Sequence, residues 1–134
     1  MRSEVVRFLN SMAKKILVVE DELFLRDLYL QILKDAGYDV DSAADGDEGL
    51  KKLSEGGYDL VLLDIVLPKR DGIQILKELQ KTPPKNPNHA IVVMSNIDKE
   101  ATIAEGVALG IKGHIIKSDY TPDQLLAEVK RIVT

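Results

Sequence analysis

Ionisable or hydroxyl side chains stand at the ends of four short strand-like segments of the sequence. These side chains are Glu20 and Asp21, Asp64, Ser95 and Lys117. The clearest segment is 60–63, whose consecutive apolar residues indicate a strand buried on both faces and end at the Asp64 carboxylate. Taken alone, Asp64 has an ordinary explanation as a loop or helix-capping carboxylate. The ionisable and hydroxyl groups at the other three strand ends are what indicate a chemical role for Asp64.

Together these groups could bind a divalent cation and take part in phosphoryl transfer. Three carboxylates within a few ångströms of one another repel, so at neutral pH they need a cation or must take up protons. Oxygen ligands from short side chains suit a hard ion, and Mg²⁺ is the natural candidate because it keeps waters and bridges to phosphate. Asp64 could then act as a nucleophile that forms an acyl phosphate, with Lys117 and Mg²⁺ stabilising charge on the phosphoryl oxygens.

A regular alternation of strand and helix signals is expected to position these groups. The predicted strands cover 16–19, 38–43, 60–63, 90–94 and 113–116. A segment with helical apolar spacing or a helix-capping pattern follows each of them. The second strand alternates polar and apolar residues, which indicates a sheet edge. Five strand–helix units of this kind predict an α/β fold, with a doubly wound parallel sheet covered by helices on both faces.

The strand order decides whether the polar groups meet. With the second strand at one edge, the order 2-1-3-4-5 makes the other four strands neighbours. Their carboxyl ends then converge beside the point where the strand order reverses, which is where open α/β sheets bind ligands. The predicted site is therefore the carboxyl edge of the sheet.

Composition limits the class of protein. The 134 residues allow one domain rather than two, and 45% hydrophobic and 30% charged residues are usual for a soluble globular protein. A net charge of -4 gives no indication of nucleic-acid binding, and the absence of cysteine excludes disulfides and thiolate chemistry. Because we find neither a membrane-spanning run nor a secretory signal, we expect a cytoplasmic protein without direct membrane or nucleic-acid contacts.

Residues 1–13 differ from the regular pattern that follows them. Val5, Leu9 and Met12 could form a short apolar stripe on an added helix, and Met12 is also a second start codon position. Nothing in this segment indicates chemistry. We therefore divide the chain into an N-terminal extension at 1–13, helical or disordered, and one domain at 14–134.

The motifs and their order closely resemble the receiver domains of two-component response regulators, including those of the chemotaxis-regulator kind. The motifs are Glu20-Asp21, Asp64 followed by Leu67-Pro68 and Asp71-Gly72, then Ser95 and Lys117. The resemblance covers about 14–134, nearly the whole chain. It implies a (βα)5 flavodoxin-like receiver fold and a phosphorylation-dependent signalling switch, not an enzyme that acts on a separate substrate.

The resemblance also implies a role for each matching residue. Asp64 would be the phosphoacceptor for a sensor histidine kinase or a phosphotransfer protein. The Mg²⁺ ligands would be Glu20, Asp21, Asp64 and the backbone carbonyl of Val66. Ser95 would be the switch hydroxyl that moves to the phosphoryl group, and Lys117 would contact a phosphoryl oxygen. Such a domain catalyses its own phosphorylation and a slow dephosphorylation.

Three positions depart from the commonest receiver pattern. His114 stands where many receivers have a tyrosine or phenylalanine that swings inward on activation, and the alternative for it is an exposed edge-strand histidine. Asn96 follows Ser95 where a very small residue is usual, so its side chain could crowd access to the phosphoryl group. Ser118 replaces the proline that commonly follows Lys117, which leaves the isomer of that peptide bond open.

Val66 and Ile97 occupy the two variable positions that flank the phosphoryl site by this resemblance. Neither side chain can hydrogen-bond an attacking water molecule. We therefore predict slow self-hydrolysis of the phosphorylated chain, and a phosphoryl lifetime of only seconds would contradict this prediction.

The signal must leave the domain through a surface. The fourth predicted helix, at about 98–110, is rich in apolar residues, and those outside its core-packing stripe could contact a partner. By the resemblance, a face made of helix 4, strand 5 and helix 5 would bind a downstream protein or form a phosphorylation-dependent homodimer. Because no output domain follows Thr134, we expect a single-domain regulator or a receiver cut from a longer chain.

Three other functions fit parts of the pattern. A phosphohydrolase of the haloacid dehalogenase-like kind needs a second aspartate two residues after its nucleophile, where this chain has Val66. A flavin-binding module needs a phosphate loop rich in Ser, Thr and Gly, where this chain has the acidic 20–22. A receiver-like module that no longer transfers phosphate stays open because of Asn96, although the five matching positions argue against it.

Overall fold

Residues 3–5 and 12–134 are described by a computed structural model of the chain. The strands are β1 Lys15–Val19, β2 Asp39–Ala43, β3 Leu60–Leu63, β4 Ile91–Ser95 and β5 Gly113–Ile116. The helices that alternate with them are α1 Leu23–Asp35, α2 Gly46–Glu55, α3 Gly72–Lys81, α4 Glu100–Ala108 and α5 Pro122–Val133. A short 3₁₀ turn at Lys117–Asp119 lies between β5 and α5. This alternation confirms the predicted α/β fold.

The strands form one parallel sheet in the order β2-β1-β3-β4-β5, as predicted. All four residues of β3 are buried, because this strand lies in the middle of the sheet with helices on both faces. Along β2 exposed and partly buried residues alternate up to Ala43, which agrees with its place at the edge. In the register of β1 and β3, Val19 pairs with Leu63, so these two strands end at the same level.

Two apolar clusters cover the two faces of the sheet. Ile16 and Val18 belong to the cluster that packs against α1 and α5, whereas Leu17 and Val19 belong to the cluster under α2 and α3. Successive side chains of a strand point to opposite faces, so each central strand contributes to both clusters. Positions 16–19, 60–63 and 91–94 accordingly carry only apolar side chains. Polar side chains begin where these strands end.

Side-chain caps determine where most of the helices begin. Asp45, Asp71 and Thr121 each accept a hydrogen bond from the backbone N–H three residues further on, at the starts of α2, α3 and α5. The helix α4 has no side-chain cap, and Gly106 is its one buried residue. This helix is therefore held to the sheet less firmly than its neighbours.

The predicted extension at 1–13 lies mostly outside the described residues. Of its expected apolar stripe, Val5 and Met12 are described and are exposed, while Leu9 lies outside. None of the helices in the described part of the chain is long and apolar enough to cross a bilayer.

Candidate functional site

Three carboxylates meet where β1 and β3 end. Glu20 and Asp21 directly follow β1, Asp64 directly follows β3, and the level ends of the two strands place these acids side by side. One oxygen from each carboxylate lies within 4.8 Å of the others. Glu20 is 1% exposed and Asp64 is 5% exposed, whereas Asp21 is open to solvent. The structure thus brings together all three acids that the sequence singled out.

Lys117 supplies the positive charge of this group. It follows β5 and reaches past the end of β4, so that its Nζ donates a hydrogen bond to Asp64 at 2.6 Å and another to Glu20. The lysine side chain is only 11% exposed. The structure therefore pairs Lys117 with two of the three acids at this edge of the sheet.

Burial and pairing act against each other on these charges. Burial raises the pKa of Glu20, and the hydrogen bonds from Lys117 and from the Glu22 N–H offset only part of this rise. Burial by itself would lower the pKa of Lys117, but the bonds to Asp64 and Glu20 outweigh it and raise that pKa. The ammonium group therefore stays charged at this edge of the sheet.

Arg26 supports the loop that carries the first two acids. Its guanidinium donates to the backbone carbonyl of Glu20 at 3.0 Å and to that of Asp21 at 3.4 Å. Arg26 is not among the site residues predicted from the sequence. Its position near the start of α1 could have indicated this role, because helical side chains lean towards the N-terminus and can reach back over the preceding loop.

Gly72 supports the strand end that carries Asp64. Its N–H donates to the carbonyl of Ile65 at 2.7 Å. A Cβ atom at this position would lie 2.5 Å from the Asp64 carbonyl oxygen, closer than real contacts allow. In the Asp71-Gly72 pair, Asp71 therefore caps α3, and Gly72 allows the first turn of this helix to pack closely against the backbone of Asp64.

Ser95 and Asn96 lie between the strands that end in Asp64 and Lys117. Ser95 is fully buried, and its Oγ accepts a hydrogen bond from the Ile97 N–H at 2.8 Å. The Asn96 side chain extends to the turn after β5, where its Oδ1 accepts from the Ser118 N–H at 3.0 Å. No cis peptide bond occurs among the described residues, so Lys117 and Ser118 are joined by a trans peptide.

The remaining predicted residues surround this edge or lie on β5. Val66 is 64% exposed, and its N–H donates to Asp64 Oδ1 at 3.3 Å. Ile97 is partly buried against the cluster under α2 and α3. His114 pairs with Val93 in the register of β4 and β5 and is half-buried rather than exposed. Its Nε2 is buried without a hydrogen-bond partner among the described residues.

A family model, the response regulator receiver domain, matches residues 16–130 of the chain. The chain therefore belongs to the response regulator receiver family. It is a receiver domain of two-component signal transduction, and this membership supports a function in phosphorylation-dependent signalling. Its acidic cluster is compatible with Mg²⁺ binding.

Individual relatives differ in how far their chains extend beyond the region that this chain matches. The transcriptional regulatory protein DltR of Streptococcus agalactiae is 39% identical over 116 residues, which cover 87% of this chain and 50% of DltR. The chemotaxis protein CheY of Thermotoga maritima is 32% identical over 122 residues, which cover 90% of this chain and 98% of CheY. The chain thus spans about half the length of DltR and nearly all of this CheY.

Solved structures share the fold. The response regulator protein TrrA of Thermotoga maritima, in complex with Mg²⁺-BeF, superposes with a TM-score of 0.72 at 33% sequence identity. The superposition covers 89% of this chain and 98% of TrrA.

Proposed function

We propose that Asp64 accepts a phosphoryl group from a sensor histidine kinase or a phosphotransfer protein, in a reaction that depends on Mg²⁺. The observation that carries this proposal is the convergence of three carboxylates and the Lys117 ammonium at one edge of the sheet. A carboxylate beside a cation site and a fixed ammonium is suited to attack phosphorus. The charge on the phosphoryl oxygens is then neutralised by groups already in position.

The residues at this edge fit Mg²⁺ as the cation. Carboxylate oxygens of Glu20, Asp21 and Asp64 lie close enough together to share one ion, and oxygen ligands are those that Mg²⁺ prefers. By the resemblance to receiver domains, the backbone carbonyl of Val66 would complete this ligand set. Bound there, Mg²⁺ would neutralise the acids and the phosphoryl oxygens. The Mg²⁺-BeF complex formed by TrrA supports this assignment by analogy.

The other residues of the site would hold the phosphoryl group after transfer. An Asp64 oxygen would form the new bond to phosphorus while the phosphorus–nitrogen bond of a phosphohistidine on the donor protein breaks. The imidazole of that histidine would leave with the electron pair. Lys117 then donates to a phosphoryl oxygen in place of the Asp64 carboxylate. We assign Ser95 as the switch hydroxyl, which exchanges its present contact with Ile97 for a phosphoryl oxygen.

His114 would report this change to the surface of the domain. It lies on β5, beside the strand that ends in Ser95. Its half-buried ring has no partner at Nε2 among the described residues, so a change of position breaks no hydrogen bond at that atom. This supports the assignment of His114 as the ring that moves on activation.

The proposal is tested with acetyl phosphate and Mg²⁺, read by intact mass. We expect a mass gain of one phosphoryl group that requires Mg²⁺ and is absent in Asp64→Asn. A wild-type chain that gains no mass with both reagents would contradict the phosphoacceptor chemistry. After removal of the reagent, the gain should decay slowly, because neither Val66 nor Ile97 can orient a water molecule.

We propose that the output surface is the face of α4, β5 and α5, which binds a downstream protein or a second copy of the chain. The support comes from α4, where Ala101, Ala104, Val107 and Ala108 are exposed although the helix is apolar. A Val107→Glu variant should keep the mass gain and lose the partner. A variant that loses both the mass gain and partner binding would show that the substitution disturbs the phosphorylation site, which would contradict a role of Val107 confined to the output surface.

The proposal extends to the whole chain. We take 14–134 as the receiver domain and 1–13 as an extension without a part in the chemistry. We also propose that the protein acts in the cytoplasm. It would catalyse transfer of the phosphoryl group from the donor to its own Asp64, not to a separate substrate. Deletion of 1–13 should leave the mass gain unchanged.

A further inference from the structure

The loop after β4 and the turn after β5 are joined beyond the end of their strands. The pairing of β4 with β5 ends at Ser95 and Ile116. The two segments then separate, one towards α4 and the other into the 3₁₀ turn at Lys117–Asp119. Across this gap, Asn96 Oδ1 accepts the Ser118 N–H at 3.0 Å, a bond between residues 22 positions apart in sequence.

Both ends of this bond are directly attached to residues of the site. Asn96 follows Ser95, whose hydroxyl lies fully buried at the end of β4. Ser118 follows Lys117, whose ammonium is bonded to Glu20 and Asp64. The bond therefore orients the peptide from which the Lys117 side chain begins, relative to the strand end that carries Ser95.

The bond requires the residue types found at both positions. A proline at 118 has no N–H to donate, and an alanine at 96 has no oxygen to accept. In the sequence, the two positions are separate departures from the commonest receiver pattern. The structure makes them two halves of one contact. The bond directs the Asn96 amide oxygen to Ser118, whereas the size of the Asn96 side chain alone indicated that it could crowd access to the phosphoryl group.

We propose that Asn96 is a positioning residue that couples the Ser95 hydroxyl to the Lys117 ammonium, so that both groups meet an incoming phosphoryl group in a fixed relative position. This inference rests on the proposed function, because it concerns how the same site holds a phosphoryl group. Asn96 would act through its hydrogen bond to Ser118 and not as a ligand of the phosphoryl group.

The test uses Mg²⁺ and fluoroberyllate, a phosphoryl analogue, titrated into the full chain by calorimetry. Asn96→Ala should weaken fluoroberyllate binding by about threefold to tenfold, the range expected for one neutral hydrogen bond. The affinity for Mg²⁺ alone should stay unchanged, because the metal ligands follow β1 and β3. A merely structural role of Asn96 would not separate the two affinities in this way.

Position 118 provides a matched pair of variants. Ser118→Ala keeps the backbone N–H and should bind fluoroberyllate as the wild type does. Ser118→Pro removes the N–H and should weaken binding about as much as Asn96→Ala. In the double variant, Ser118→Pro should add less than about twofold, because the bond is already lost. Thermal midpoints of all variants identify any loss that comes from unfolding.

The outcomes separate this inference from the proposed function. If the wild-type chain fails to bind fluoroberyllate in the presence of Mg²⁺, or if Asp64→Asn binds it equally well, the proposed function fails and the inference with it. If the wild type binds and Asn96→Ala binds with equal affinity, only the coupling role is wrong. Tighter binding by Asn96→Ala would overturn the coupling and support crowding by the asparagine.

Discussion

Two lysines among the described residues each pair with two acids, and the two groups differ in burial. The carboxyl-edge cluster consists of Glu20, Asp64 and Lys117, and the β2–α2 cluster consists of Asp41, Glu48 and Lys52. No side chain of the carboxyl-edge cluster is more than 11% exposed, whereas those of the β2–α2 cluster are 26% exposed or more. The same residue types therefore occupy opposite electrostatic environments.

The difference in burial indicates that neither cluster is retained mainly for stability. Exposed ion pairs are screened by water, so the β2–α2 cluster changes the free energy of unfolding only slightly. Buried ion pairs lose their hydration, and apolar residues of similar size are often more stabilising in their place. The carboxyl-edge cluster is therefore a poor device for stability. The proposed cation site and phosphoryl acceptor give a reason for its residues.

The largest difference between the clusters should appear when each lysine is removed. Lys117→Met leaves two buried carboxylates without their cation, and we expect it to lower the free energy of unfolding by about 3 kcal/mol without Mg²⁺. Lys52→Met, the matched variant of the exposed cluster, should cost less than about 1 kcal/mol. Urea unfolding followed by circular dichroism measures both. Equal losses would mean that burial does not distinguish the clusters.

Mg²⁺ should stabilise the fold through the carboxyl-edge cluster and not through the β2–α2 cluster. At ten times its dissociation constant, an ion that binds only the folded chain raises the free energy of unfolding by about 1.4 kcal/mol. Asp21→Asn should remove most of this gain, because it takes away the solvent-exposed ligand of the proposed site. Asp41→Asn is the control from the β2–α2 cluster and should keep the gain. Loss in both variants would indicate non-specific binding to acidic surface.

The smallest effect concerns Tyr58, whose hydroxyl donates to Asp41 at 3.1 Å. Burial, followed by the charge of Asp41 and this hydrogen bond, raises the pKa of Tyr58 to about 12. Asp41→Asn should lower this pKa, yet keep it above 10.0, because burial remains. Ultraviolet titration measures the shift once the curve of a Tyr58→Phe variant is subtracted, which removes the signal of the other three tyrosines. Asp123→Asn, on α5 at the other face of the sheet, should leave it unchanged.

The sign of the associated stability change follows from the direction of the shift. A group whose pKa is raised on folding stabilises the protein below its unfolded pKa. The contribution of Tyr58 is thus fully present below pH 10.0 and is lost as the pH rises towards about 12. A Tyr58→Phe variant should show a flatter decline of stability over this range. An identical decline would mean that Tyr58 does not titrate with folding.

The sequence was sufficient for the fold and for the convergence of the acids. Hydrophobic runs such as 60–63 predicted buried strands, and the alternation along 38–43 predicted the edge position of β2, because burial imposes these patterns on the chain locally. Parallel strands with helical crossovers then allow few topologies, and these place the strand ends at one edge. The meeting of Glu20, Asp21 and Asp64 follows from those rules.

Only the tertiary structure decided which of these groups touch one another. Lys117 bonds to Asp64 across 53 positions and to Glu20 across 97, and Asn96 accepts the Ser118 N–H across 22. His114 is half-buried although it lies on an edge strand. Local patterns record burial along the chain. Contacts between distant side chains depend instead on how the packed elements orient each rotamer, and no local pattern contains that information.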